Sequence, residues 1–370
     1  MPSKNQEFET PEIVELSGSP REIGLQHGKV LAPKIRSQIK VYEAMFAQTS
    51  NLSWTDVRSI AQDYSASIQR LTPDLHVEMA AIAEGADLDL LDVVALNCRS
   101  EIALGLFSDG CTSLGWKRAR EGGGGEEVFL AQNWDWTRRV KGNLVMMSIE
   151  QVGKPMIWMV TEAGIVGKIG FNSSSVGTNL NAIRARPTDA RKLPIHVALR
   201  LCLESETTAA AIAKLESLGG IASSAHILLA DPKGPISLEL SPKGDIHISP
   251  NSKGIVCHTN HFIQNRYVDE PPWLSGSPIR LARIQELTSV LAASGENVNT
   301  DVLRKRVFSD GFNAPQAICC QEDPKRPIET RSSTLFNIVM SFVAGEEPSA
   351  EVVWGRPGSG EEGGVLKMPW

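Results

Sequence analysis

The sequence predicts an α+β fold in which sheets are flanked by layers of helix, and two observations carry that prediction. Apolar residues recur at helical spacing through the first 110 of its 370 positions, and from Cys111 onward the period shortens to that of strands. The strands then come in groups separated by a helical block, which argues against a one-by-one βαβ alternation.

Taken in order, Ile35, Ile39, Tyr42 and Phe46 share one helical face. Ser53-x-x-Asp56 has the form of a capping box and opens a second helix striped by Val57, Ile60, Ala61, Tyr64 and Ile68. Thr72-Pro73 ends that helix, because the residue before a proline avoids the α region. "LHVEMAAIAEGA" and "LLDVVALNCRSEIALGLF" continue the helical pattern, so this part of the chain reads as an α layer.

Beyond it, "CTSLGW", "VFLAQNWDW", "NLVMMSIEQV", "PMIWMVTEAG" and "GKIGFNSSSVGTNLN" are short and rich in β-branched or aromatic residues. Glycine, proline or asparagine separates them, which predicts antiparallel strands. "EGGGGEE" reads as a flexible hairpin tip. "PIHVALRLCLES", with proline at its start, and "TTAAAIAKLESL" read as helices. Two strand pairs follow, "AHILLAD…ISLELSP" and "DIHISP…GIVCHTN", each turned at a Lys-Gly. Leu281, Ile284, Leu287 and Leu291 mark another helix, and "STLFNIVMSFV…AEVVWGRP" predicts a closing hairpin.

Composition narrows the function. A net charge of −6 and a pI near 5.7 argue against nucleic acid or an acidic membrane surface as the partner. No segment reaches the roughly 18 to 20 apolar residues of a membrane span. The polar start "MPSKNQEFETPEIVE" lacks the apolar core of a signal peptide, and "LKMPW" is not a peroxisomal tripeptide. A cytoplasmic location is therefore expected. Six cysteines are too few for a disulfide scaffold, and none forms a C-x-x-C pair. Cys98, Cys202 and Cys257 lie in apolar contexts that suit packing, and Cys319 and Cys320 are adjacent.

No Walker loop, G-x-G-x-x-G, G-x-S-x-G elbow or H-E-x-x-H helix is present. His258 and His261 have H-x-x-H spacing, but three residues along a strand place side chains on opposite faces, and no third ligand is suggested. No metal is expected, and both histidines read as supports for the segment around Asn260.

Cys111, in "SDGCTS", sits where helix gives way to strand. Three roles are open to it: packing, half of a disulfide, or a nucleophile. The third has a physical rationale. A thiol has a pKa of about 8.5 and needs a base. If the chain is cut before Cys111, its own α-amine, of pKa about 7.7 to 8.0, lies beside the thiol and can serve. Gly110 has no side chain to obstruct attack on its carbonyl, Asp109-Gly110 favours a tight turn, and Thr112 and Ser113 add hydroxyls.

Here the sequence resembles a known family, the acyl-coenzyme A:isopenicillin N (6-aminopenicillanic acid) acyltransferases, which are autoprocessing N-terminal-nucleophile (Ntn) hydrolases. The resemblance rests on "DGCTS", "QNWDW", "TEAGIVGKIGFNSSSVGTNLNA", "HVALRLCLES", "LELSP", "HTNH" and "TLFNI", in family order from Asp109 to Ile338. It implies a four-layer αββα sandwich. It further implies cleavage between Gly110 and Cys111 into a helical chain, 1–110, and a chain 111–370, which remain together as a heterodimer forming one domain.

By the same resemblance Cys111 matches the nucleophile and Asp135 a carboxylate that orients the new N-terminus. Asn260 matches an amide donor to the oxyanion, Ser241 a pocket hydroxyl, and Arg331 a buried arginine near the site. Ser113 would support the substrate. The implied chemistry carries an acyl group from a CoA thioester or an amide, through a Cys111 thioester, to a small amine of the 6-aminopenicillanic acid type or to water. Acyl-CoA would be a co-substrate, and no other cofactor is implied.

Thr330 stands where the family has a serine, "SLGW" after the nucleophile differs, and the "EGGGGEE" hairpin is longer. The last two bear on the acyl pocket. Two other functions stay open: an amidase acting on another N-acyl or amino-acid conjugate, and an unprocessed, non-catalytic homologue. For single residues plainer roles compete. Asp135 could cap a turn, Arg331 could hold an ion pair or a substrate carboxylate, and Trp134, Trp136, Trp158 and Trp273 could fill the core or line the pocket.

Overall fold

In a computed structural model, residues 10–102, 110–120, 123–272, 276–360 and 364–370 are described. The helices come first, as expected. α1 (Pro20–Ser50) is capped by Ser19 paired with Glu22, and α2 (Trp54–Leu71) by the Ser53–Asp56 capping box. α3 (Pro73–Ala86) begins at the proline that ends α2, and α4 (Leu90–Asn97) and the short α5 (Arg99–Ile102) follow. α1 and α3 pack so closely that a Cβ on Gly28 would lie 2.2 Å from the Ile82 carbonyl oxygen.

This part of the chain is not wholly helical. A strand, β1 (Glu12–Ser17), precedes α1 and pairs in parallel with β4 (Leu144–Glu150). Its buried Val14 and Leu16 alternate with exposed neighbours, a pattern too short to stand out beside the long helices.

The remaining strands form two sheets. One runs in the order β1-β4-β5-β6-β7-β8-β9-β10. It adds β5 (Ile157–Glu162), β6 (Ile169–Asn172), β7 (Gly177–Ala182), β8 (Ala225–Asp231), β9 (Gly234–Leu240) and β10 (Ile246–Ile248). The other runs β11-β2-β3-β12-β13-β14. It comprises β2 (Cys111–Ala119), β3 (Glu126–Trp136), β11 (Ile255–His258), β12 (Ser333–Val343), β13 (Ser349–Trp354) and β14 (Val365–Met368). "EGGGGEE" does connect an antiparallel hairpin, β2–β3, although Glu121 and Gly122 lie outside the described residues.

One predicted strand pair is not a pair. β10 pairs with β9, whereas β11 pairs with β2 in the other sheet, so the turn at Lys253-Gly254 carries the chain between sheets. The glycine is required there, with φ +75 and its Cα against β2: an added Cβ would sit 2.2 Å from the Lys117 carbonyl oxygen.

The sheets face each other. Gly177 of β7 packs against Leu130 of β3 and Phe342 of β12, and Gly115 of β2 against Pro235 of β9. α6 (Ile195–Leu203) and α7 (Thr208–Ser217) cover the outer face of the eight-stranded sheet alongside α1–α5. α8 (Ser277–Ala293) and α9 (Thr300–Leu303) cover the other sheet. The result is a four-layer αββα sandwich. Strand β2 therefore has two buried faces: Leu114 and Trp116 belong to the core under α8, and Cys111 to the core between the sheets. Among the described residues no helix is long and apolar enough to cross a membrane. No disulfide joins the cysteines, all of which are buried, so the disulfide role for Cys111 falls away.

Candidate active site

Cys111 is the first residue of β2, flanked by β3 and β11, and only 4% exposed. Its N–H donates to Asn260 Oδ1 at 2.7 Å. Asn260 lies just past the end of β11 and is held on three sides. Its own N–H donates to Ser277 Oγ (2.8 Å) at the start of α8, and its Nδ2 to the Ala182 carbonyl (3.0 Å) at the end of β7.

Its third contact is the guanidinium of Arg280, which sequence reasoning missed. Nη2 donates to Asn260 Oδ1 (2.9 Å), while Nη1 donates to the Cys111 carbonyl (2.7 Å) and to Thr112 Oγ1 (3.0 Å). A backbone N–H and a guanidinium can only donate, and a carbonyl can only accept. The Asn260 amide is therefore oriented with its oxygen toward Cys111. The signal for Arg280 was its position on α8, one turn before Ile284 and three before Leu291. It is a charged residue on a stripe that is otherwise buried and apolar.

Gly110 lies between two charged groups. A Cβ there would be 2.9 Å from Arg280 Cζ and 2.9 Å from Asp135 Oδ2, so no side chain fits without moving one of them. This is how Asp135, fully buried on β3, reaches the junction. Its Oδ1 accepts from Thr334 Oγ1 (2.6 Å), which in turn accepts from the Cys320 N–H (3.0 Å). Ser108 and Asp109, also part of the sequence motif, lie outside the described residues.

Ser113, on the same face of β2 as Cys111, donates to Asn181 Oδ1 (2.7 Å) on β7. His226 Nδ1 shares that oxygen at 2.8 Å, and the His226 ring stacks on His258 at 3.6 Å. Burial, helped by the neighbouring His258, pushes the His226 imidazole well below its usual range. His258 Nε2 bonds Glu239 Oε1 at 2.9 Å, and Glu239 also accepts the N–H groups of Ile263, Gln264 and Asn265. Burial pushes the Glu239 carboxyl up, but the bonds from His258 and these N–H groups outweigh it and hold the group below the ordinary range. Glu239 thus anchors the turn that presents Asn260.

The H-x-x-H geometry differs from expectation because β11 ends at His258. His261 lies beyond the strand, with Nδ1 bonded to Ser277 Oγ at 2.8 Å. Among the described residues no three His, Cys, Asp or Glu side chains are grouped to hold a metal.

Two other expected site residues are held by local backbone contacts. Ser241 Oγ donates to the Gly244 carbonyl (2.7 Å) and accepts the Lys243 and Gly244 N–H groups, closing the β9–β10 turn. Arg331 is half-buried, and its guanidinium donates to the carbonyls of Arg326 and Pro324 (both 2.8 Å). The buried arginine at Cys111 is Arg280. Trp134, Trp136 and Trp158 are buried in the core between the sheets, and Trp273 lies outside the described residues.

A cavity of about 930 Å³ opens between the end of α1 and the segment that follows β7. Arg184 on its wall is two residues beyond Ala182, the carbonyl partner of Asn260, and Thr49, Asn51, Ile102, Arg186 and Glu270 also line it. That volume suits a small organic ligand.

Comparison with known proteins gives the family. Residues 120–358 match the family model described as acyl-coenzyme A:6-aminopenicillanic acid acyl-transferase. The chain is 32% identical over 357 residues to the acyl-coenzyme A:6-aminopenicillanic-acid-acyltransferase 40 kDa form of Emericella nidulans, covering 95% of each chain. Among solved structures it is similar to penicillin V acylase from Agrobacterium tumefaciens, at 14% identity and a TM-score of 0.39, covering 65% of this chain and 82% of that one. The chain belongs to the acyl-coenzyme A:6-aminopenicillanic acid acyltransferase family.

Proposed function

We propose that the protein is a self-cleaving acyltransferase with Cys111 as its N-terminal nucleophile. The observation that carries this reading is the grip on the Gly110–Cys111 junction. Asn260 holds the Cys111 nitrogen, Arg280 holds the Cys111 carbonyl and the Asn260 amide, and Gly110 occupies a slot that admits no side chain.

In maturation the Cys111 thiol attacks the Gly110 carbonyl. The C–N bond breaks, a thioester to residues 1–110 forms, and the proton passes to the released α-amine. Water then hydrolyses the thioester, leaving a Gly110 carboxylate and a free thiol. In turnover the α-amine takes the thiol proton, and the thiolate attacks the carbonyl of an acyl-CoA or an amide. The leaving thiol or amine departs with the proton from the α-ammonium. An amine of the 6-aminopenicillanic acid type, or water, attacks the acyl-enzyme and regenerates the thiol.

Asn260 has a second part besides the expected one. Its oxygen faces Cys111 and orients the base, while Nδ2 gives one hydrogen to Ala182 and keeps its second for the oxyanion. Asp135 stands beside Gly110 and pairs with the new ammonium.

Intact-mass measurement under denaturing conditions tests the reading. Purified protein should give two chains, 1–110 and 111–370, the second starting at Cys111. Incubation with an acyl-CoA should add one acyl mass to the second chain, and 6-aminopenicillanic acid should remove it. One uncut chain after prolonged incubation would sink the mechanism.

A second expectation concerns Arg280. Arg280→Met removes hydrogen bonds from a charged donor to the Cys111 carbonyl and to Asn260, each contributing roughly 1.5–3 kcal/mol. If the transition state for cleavage needs only one of them, the rate still falls about 10- to 100-fold. A time course of precursor loss reads this directly, and a rate within twofold of wild type would show that the grip is not needed.

A further inference from the structure

On the face of the six-stranded sheet that carries the Cys111 thiol lies an ionic cluster that the proposed chemistry leaves unused. Cys111 and Trp134 are direct partners in the β2–β3 ladder, so their side chains leave the sheet on the same face. Lys168 Nζ lies 3.7 Å from the centre of the Trp134 ring. The lysine is fully buried, and its charge is met by Glu162 Oε2 at 3.2 Å.

Glu162 is shared. Arg99 approaches it at 3.0 Å, and the Tyr42 hydroxyl donates to it at 2.8 Å. Trp136, the next residue of β3 on that face, donates to the Tyr42 oxygen at 3.1 Å, and its ring lies 4.9 Å from the Arg99 guanidinium. Two cations thus face one carboxylate. Three other titratable groups are packed around them: Glu101, Tyr42 and His196. Glu101 is a second buried carboxylate facing Arg99; burial raises it, and it accepts the Ile195 N–H (2.8 Å) and the Ser223 hydroxyl (3.0 Å). Burial pushes the Tyr42 phenol well above its usual range, and burial with the nearby Arg99 pushes the His196 imidazole well below its own. Arg99 therefore faces two carboxylates, Glu162 and Glu101, and Lys168 is the cation seated on Trp134, the ladder partner of the nucleophile.

We propose that Lys168 is a positioning residue of this site: its ammonium, seated on Trp134, stabilises the Cys111 thiolate after the α-amine has taken the proton. The proposal rests on the reading of Cys111 as nucleophile. Two features of the cluster favour this role over simple packing. Arg99 already pairs with Glu162, so Lys168 is not needed to neutralise it. A cation on a buried aromatic face, with only one carboxylate oxygen in reach, also keeps most of its field for a neighbouring anion.

Burial draws Lys168 down to about 7 against the upward pull of Glu162, and negative charge on Cys111 raises it. Coupling of this kind is mutual, so the ammonium lowers the thiol by the same amount. The ammonium form, and with it this stabilisation, is present below about pH 7 and is lost as pH rises through that value.

The test is the rate of Cys111 alkylation by iodoacetamide against pH, in processed wild type, Lys168→Met and Lys168→Arg. The expected result is an alkylation midpoint about one pH unit higher in Lys168→Met, about tenfold slower reaction at neutral pH, and recovery in Lys168→Arg. Lys168→Gln, which keeps a long polar stem without charge, is the second variant should Lys168→Met fail to fold. A midpoint that does not move in the neutral variants overturns the proposal, as does Lys168→Arg behaving like Lys168→Met. An uncut wild-type chain, seen by mass, instead overturns the reading beneath it.

Discussion

Cys111→Ala is expected to remain one chain of residues 1–370 and to acquire no acyl mass, under conditions in which the wild-type protein divides and becomes labelled. The substitution removes only the sulfur, so what is lost is chemistry rather than fold. Cys111 is 4% exposed and packs in the core between the sheets, and losing one buried atom there costs about 1 kcal/mol, a small part of a domain's stability. The backbone contacts at the site do not depend on the thiol. Asn260 still accepts the residue 111 N–H, and Arg280 still reaches its carbonyl.

A folded, uncut Cys111→Ala protein with near-wild-type melting therefore assigns both cleavage and acyl uptake to the sulfur. Cys111→Ser sharpens the point. It retains a nucleophile of poorer reactivity in the same place, so slow cleavage is expected, and its rate should rise with pH. Cleavage of Cys111→Ala at the wild-type position would show that another group, or a contaminating protease, cuts the chain.

The sequence made some of this legible for local reasons. The Ser53–Asp56 box, the end of α2 at Thr72-Pro73 and the α8 stripe are set by neighbours within a turn, and the structure agrees at each. The junction at Cys111 was legible because a change of hydrophobic period is also local. Strand partnership is not local. β1 pairs with a strand about 130 residues away, and the β10–β11 segment looks like a hairpin until its glycine is seen docked on β2.

The site residues divide in the same way. Cys111, Asp135 and Asn260 are brought together at the junction, the first two by the register of β2, β3 and β12, and Asn260, just past β11, by its bonds to Ser277 and Ala182. Ser241 and Arg331 sit in or beside turns, where a motif match places the backbone but not the direction of the side chain. Arg280 escaped because a lone arginine in a helical segment looks like surface until the stripe it occupies is shown to be buried.

The largest effect on stability is expected at Arg200 of α6, and it bears on how the two chains would stay together after cleavage. Arg200 is fully buried. Its two terminal nitrogens pair with both oxygens of Glu78 on α3 at 2.9 Å, Nη1 also donates to the Val166 carbonyl (3.0 Å), and Nε donates to Glu204 (2.9 Å). Arg200→Met leaves Glu204 with Lys154 at 2.8 Å, but strands Glu78 in the core. Breaking such a pair costs about 3–5 kcal/mol, because the remaining charge is buried without compensation.

Burial already raises the Glu78 carboxyl, and Arg200 is the chief force holding it down. In the variant it should rise further. A carboxyl raised in the folded state binds its proton more tightly there than in the unfolded chain, so the deficit should shrink as pH falls toward the raised value. Urea unfolding at neutral and mildly acidic pH reads both effects, and Arg200→Met with Glu78→Leu should recover most of the loss. A single-variant deficit below about 1 kcal/mol would show that water reaches Glu78. Because Glu78 precedes Cys111 in the chain and Arg200 follows it, the pair spans the proposed cut. In the cleaved protein its loss should also lower the urea concentration at which the chains separate. In a Cys111→Ala background the same loss should appear as unfolding alone, because the tether remains.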